Sequence, residues 1–192
     1  MMIKNQRVSL IFHVFLCLVT VAVAQSRTAA AQSPEPKTVA DFFLLVPERY
    51  MVGYDLRLRE ELLRGEPTGT VVDIPNGYIS WDASDNLEGF EFAIFRKNDG
   101  SYLVAYSNGA FGDAEMDEGL GNFPTLFLLS HEGGGRWRDV TRAFFPAGFD
   151  KKLYYTLPRQ GRDIEVWDGR GRKLSTLRWE NDRFRIRRPA GK

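Results

Sequence analysis

Apolar residues recur along this chain with two different periods, and the change between them falls near Thr70. Before it the spacing is helical. Val39, Phe42, Phe43 and Val46 fall on one side of a helix that Thr38 can cap and Asp41 can complement at its positive end. Pro47 stops that helix. Asp55 can cap a second one, LRLREELLR, which ends at Gly65 and Pro67. Its Leu56, Leu58, Leu62 and Leu63 make a broad apolar half, while Arg57–Glu61 and Glu60–Arg64 stand at i,i+4 on the exposed side.

After Thr70 the alternation is that of strands. TVVDI and YISW flank Pro75-Asn76-Gly77, FEFAIF and SYLVAYS flank RKNDG, and PTLFLLS is apolar on both faces, as a strand covered on each side would be. HEGGG then leads into RWRDV, and TRAFF reads as a short helical turn. LYYTL, DIEVW, KLSTLRW and RFRIR complete the series. The prediction is an α+β fold, mainly β: two short N-terminal helices packed on an antiparallel meander of about nine or ten strands.

A faint repeat divides that meander. PTLFLLSHEGGGRWRDV and KLSTLRWENDRFRI share an apolar strand, a polar turn and an Arg-aromatic-Arg triplet, with Trp137 and Phe184 in equivalent places. Each follows a hairpin, so the repeat predicts two four-stranded units in which both rings are buried core anchors.

The chain opens with a basic segment and an apolar run, Val8 to Ala24, that closes on Ala22-Val23-Ala24. This is the pattern of a signal peptide over residues 1–24, cleaved before Gln25, although the small residues Ala29 to Ala31 offer a later site. An uncleaved anchor is the rival reading, for which the run is short. Residues 25–37 read as a flexible lead-in and 38–192 as a single β-rich domain. The expected location is therefore the periplasm or the extracellular space, with no integral span after cleavage. Cleavage removes Cys17, the only cysteine, and leaves a mature chain without disulfides or thiolates.

Two pieces of the sequence are similar to known proteins. Asp163 to Leu177, with Trp167-Asp168, is similar to the closing hairpin of a WD40 blade and to nothing more of that repeat. Over most of its length the chain resembles a family of exported β-rich bacterial proteins. The matching pieces are the T-x-x-D-F-x-x-x-x-P helix (Thr38 to Pro47), Asn76 to Tyr78, Phe95 to Ala105 and Arg136 to Thr141. The resemblance implies a helix pair over a β-meander and an exported location; it implies no activity.

Candidate chemistry is sparse. His131 is the single histidine after the leader, so a triad or a zinc site has little to build on, and it reads as a residue at a sheet rim. Acids alternate at Asp113, Glu115 and Asp117, and again at Asp82, Ser84, Asn86 and Glu88, as in loops that bind hard cations. Neither follows the EF-hand pattern, so no cofactor is expected, with calcium at Asp113, Glu115 and Asp117 the one alternative. HEGGGR lacks the Lys-Ser/Thr of a phosphate loop.

Charge is uneven along the chain. Asp41 to Glu132 holds 17 acids against 6 bases, and Arg159 to Lys192 holds 11 bases against 5 acids. The two halves either neutralise one another within the fold, the reading favoured here, or present separate surfaces. Losing the leader removes Lys4 and Arg7 and turns the formal net charge of +1 into −1, which argues against nucleic acid as a partner. The sequence points to a non-catalytic binding or accessory protein of the envelope or extracellular space, acting on a protein or a glycan. The alternative is a carboxylate-based hydrolase of envelope polysaccharide or peptide.

Overall fold

The computed structural model describes residues 35–82, 89–108, 126–145, 150 and 153–187. Residues 36–192 cluster as one unit, and 1–35 as another, of which only Glu35 is among the described residues. Helix α1 (Val39–Leu45) starts at a full capping box: the Thr38 hydroxyl accepts the Asp41 N–H, and the Asp41 carboxylate accepts the Thr38 N–H. It ends where Val46 takes the extended backbone that a residue before proline prefers. A 3-10 turn (Glu48–Tyr50) leads to α2 (Leu56–Leu63), capped by the Asp55 carboxylate on the Leu58 N–H.

Among the described residues ten strands follow, in two antiparallel meanders. β1 (Thr70–Asp73), β2 (Tyr78–Trp81), β3 (Phe90–Arg96), β4 (Tyr102–Asn108), β5 (Leu126–His131) and β6 (Trp137–Asp139) form a six-stranded sheet in chain order. After α3 (Thr141–Phe144), β7 (Tyr154–Thr156), β8 (Asp163–Trp167), β9 (Lys173–Glu180) and β10 (Arg183–Arg187) form a four-stranded one. The two equal units expected from the repeat are thus six and four, because the β1–β2 hairpin joins β3 in register (Ile79 opposite Phe92) instead of standing apart.

Alternation along the strands sends their apolar residues to two cores. Ile79, Phe90, Phe92, Val104, Tyr106 and Leu129 face the helices and meet Val39, Phe42, Phe43 and Leu62. Tyr78, Ala93, Phe95, Leu103, Ala105, Leu126 and Leu128 face the second sheet and meet Tyr155, Ile164, Val166, Leu177, Trp179 and Phe184. Phe95 joins the two layers, its ring centroid 5.4 Å from that of Trp179 and 5.3 Å from that of Phe184. The middle of the six-stranded sheet is therefore covered on both faces, which is why β5 is apolar on both sides from Leu126 to Leu129.

The proposed equivalence of Trp137 and Phe184 holds in topology and fails in burial. Both lie on the outermost strand of a terminal hairpin. Phe184 is 2% exposed between the sheets, against Trp179. Trp137 is half-buried on the helix side, edge-on to Phe42 and 5.0 Å from the His131 ring. The short β6 lies at the margin of the helix layer, so its ring is covered from one side.

Arg59 corrects the sequence reading of α2 as an apolar half with a charged face. It is 3% exposed, and its guanidinium donates to the Phe43 and Val46 carbonyls at 3.0 and 2.6 Å. Those carbonyls close α1 and have no later turn to donate to them, so α2 supplies the cap. The Arg57–Glu61 pair forms as expected, whereas Arg64 turns to Glu66.

Candidate binding face

Between the sheets runs a polar seam that the sequence did not advertise. Ser80, Glu91 and Ser107 are cross-strand neighbours on β2, β3 and β4, and all three lie on the side toward the second sheet. The Glu91 carboxylate accepts the Tyr78 hydroxyl at 2.8 Å and the Leu157 N–H at 2.7 Å. The Ser107 hydroxyl donates to the Tyr155 carbonyl at 2.5 Å. Strand β7 is an edge of its sheet, so its outer backbone groups have no strand beside them. Glu91 and Ser107 take that place and fasten β7 and its continuation to the larger sheet.

Burial pushes the Glu91 carboxyl up to about 7, against the Leu157 N–H and the Tyr78 hydroxyl, which favour the anion. Burial likewise holds the Tyr78 hydroxyl well above its usual range, Glu91 adding to the effect. A carboxyl poised near neutrality is a common sign of general acid–base chemistry. Glu91 is 2% exposed, with both oxygens taken by the fold, so what its geometry does is hold two sheets together.

The other side of the four-stranded sheet has a different character. Ile164, Val166, Leu177, Trp179 and Phe184 point inward, so their neighbours along each strand point out. One outer row is Arg185–Arg178–Asp163 and the next is Arg187–Thr176–Glu165–Thr156. Arg178, Arg185, Arg187 and Asp163 are exposed. Toward the other end of β8, Trp167 is paired with Tyr154, and the Lys173 ammonium sits 5.9 Å from the indole centroid while pairing with Glu165. The RGR turn that follows this end is closed by Asp168, whose carboxylate is held below the usual range by the Arg172 N–H first of all.

At the arginine end lies a hollow of about 520 Å3, lined by Gln160, Gly161, Arg162, Asp163, Arg178, Trp179 and Arg187. Arg178 and Arg185 share the Glu180 carboxylate at 3.2 and 3.7 Å. Among the described residues no carboxylate stands within ion-pair distance of Arg162 or Arg187. Arg159–Asp73, at 2.9 Å, is the ion pair among the described residues that joins the acidic stretch to the basic one; the other pairs of the basic stretch are internal to it.

Asp113, Glu115 and Asp117 lie outside the described residues, as do Ser84, Asn86 and Glu88 of the second acidic loop. Among the described residues no three His, Cys, Asp or Glu side chains converge as metal ligands would. His131 ends β5 at the sheet rim, its ring against Phe42 and Trp137. A sequence clue to the basic face did exist: Arg183, Arg185 and Arg187 alternate with Phe184 and Ile186, which places three guanidiniums on one side of a terminal strand. No protein-family model, curated protein or solved structure matches the chain.

Proposed function

We propose that this is an exported, non-catalytic binding protein whose ligand, a glycan or a protein of the envelope or extracellular space, lies on the outer face of the four-stranded sheet. One observation carries the reading. The middle of the larger sheet is covered on both sides, whereas the smaller one turns exposed arginines and a Tyr154–Trp167 pair outward. Large rings and arginines in such a setting are the residue types that dominate recognition surfaces. The apolar run from Val8 to Ala24 supports export. Among the described residues no helix is long and apolar enough to cross a membrane.

Co-sedimentation tests the proposal. The purified protein should pellet with isolated envelope polysaccharide or with immobilised envelope proteins, and Arg178→Ala/Arg185→Ala should not, at unchanged thermal stability. Equal pelleting of both forms rejects the face. Release of reducing ends or free amines from the same material would replace the binding reading with the hydrolase one.

A further inference from the structure

Resting on the binding reading above, the geometry points to the class of ligand: we infer that the hollow at the arginine end of the face takes a carboxylate of an acidic polysaccharide. Three arginines, Arg162, Arg178 and Arg187, are among the residues that line it, against one acid, Asp163. They come from separate places, the loop before β8, the later part of β9 and the end of β10; the register sets Arg178 opposite Asp163, and Arg187 two positions along, opposite Thr176. Arg178 is partly engaged by Glu180, but Arg162 and Arg187 have no carboxylate among the described residues within ion-pair distance. Their donors are left to water or a ligand. A guanidinium presents a planar fork that fits the two oxygens of a carboxylate, and such charge-assisted pairs are about twice as strong as neutral hydrogen bonds.

The rest of the face selects a sugar polymer over an acidic protein. From Asp163 to Trp167 strand β8 runs about 13 Å, so an extended ligand seated in the hollow reaches the Tyr154–Trp167 pair. The half-buried aromatic rings there offer an apolar surface to the C–H face of a pyranose. Between them lie Thr156, Glu165 and Thr176, short or polar side chains that suit hydroxyl contacts. Glu165, already paired with Lys173, places a negative charge mid-face that disfavours a uniformly anionic chain such as nucleic acid.

Binding of an oligogalacturonate, a neutral cello-oligosaccharide of equal length and single-stranded DNA to the purified protein tests this. The uronate should bind at least about tenfold tighter than the neutral sugar and should weaken as salt is raised, as screening requires. Arg162→Ala/Arg187→Ala, both at exposed positions, should lower uronate affinity at least about tenfold, with Arg162→Lys/Arg187→Lys recovering only part. DNA binding tighter than the uronate overturns the proposal, as does tightest binding of the neutral sugar. Suppose the arginine double variant binds the uronate as the parent does while Trp167→Ala loses it. The hollow assignment then falls and the face stands; if neither variant changes binding, both fall.

Discussion

Glu91, in the middle of the six-stranded sheet, accepts the backbone N–H of Leu157 across the inter-sheet space at 2.7 Å, 66 residues further along the chain. A strand pair would satisfy that N–H with a carbonyl; here a side chain from another layer does it. The contact fastens the edge strand β7 where a sandwich would otherwise be free to slide. It also places a titratable group in the core.

That group makes stability depend on pH. The folded Glu91 holds its proton up to about 7, above the ordinary 4.5, because burial penalises the anion. Its contribution is therefore fully present below about pH 4.5 and is lost as pH rises through 7, where the unfolded chain sheds the proton more easily. The loss is on the order of 3 kcal/mol. Urea midpoints taken at several pH values should fall across this window in the parent and stay flatter in Glu91→Gln, which keeps an acceptor for one of the two donors. Parallel profiles would show that Glu91 does not set the slope.

Truncating the two aromatic residues of the repeat should give unequal results. Phe184→Ala empties a site between the sheets and should cost about 3–5 kcal/mol. Trp137→Ala, at a half-covered edge, should cost about half as much or less, and Arg185→Ala should stay within about 0.5 kcal/mol. Melting temperatures of the three variants decide it; equal losses for both rings would restore their equivalence as core anchors.

Arg59 is expected to matter far more than the other charges of α2. Arg59→Ala removes the donor from two closing carbonyls of α1 and should destabilise by about 2–3 kcal/mol. Arg57→Ala, which breaks an exposed pair, should cost about 0.5 kcal/mol or less. Denaturant titration that found the two alike would mean water replaces the buried guanidinium without loss.

Gly77 combines two constraints. Its φ is +68°, and a Cβ there would stand 2.7 Å from Ile94 Cγ1. Gly77→Ala should thus pay both the left-handed penalty, about 1–2 kcal/mol, and an overpacking cost of about 1–3 kcal/mol. Gly100→Ala, with φ of +84° and open space around it, should pay only the first. If the two melt together, Ile94 moves aside freely.

What the sequence determined by itself was local. Thr38 and Asp55 cap their helices because the donors they satisfy lie within three residues. About nine or ten strands could be read from the chain, most of them from alternation, because the period of two is a property of each strand alone. Asn181 and Asp182, at φ of +49° and +60°, make the two-residue turn of the last hairpin from residues that favour that backbone. Even there the outside intervenes, since the Asp182 carboxylate accepts the Asn98 N–H of another turn at 2.9 Å. The six-and-four division, by contrast, depended on which hairpins found a neighbour. Trp137 and Phe184 sit in the same local pattern, and only what lies opposite each ring made one a core residue. Glu91 stands between Phe90 and Phe92 in a run that any reading assigns to a strand, yet alternation says only that it faces away from them. Whether that side met water or a second sheet was decided by the packing of residues more than sixty positions away, because burial is a property of two surfaces and the sequence of a strand describes one.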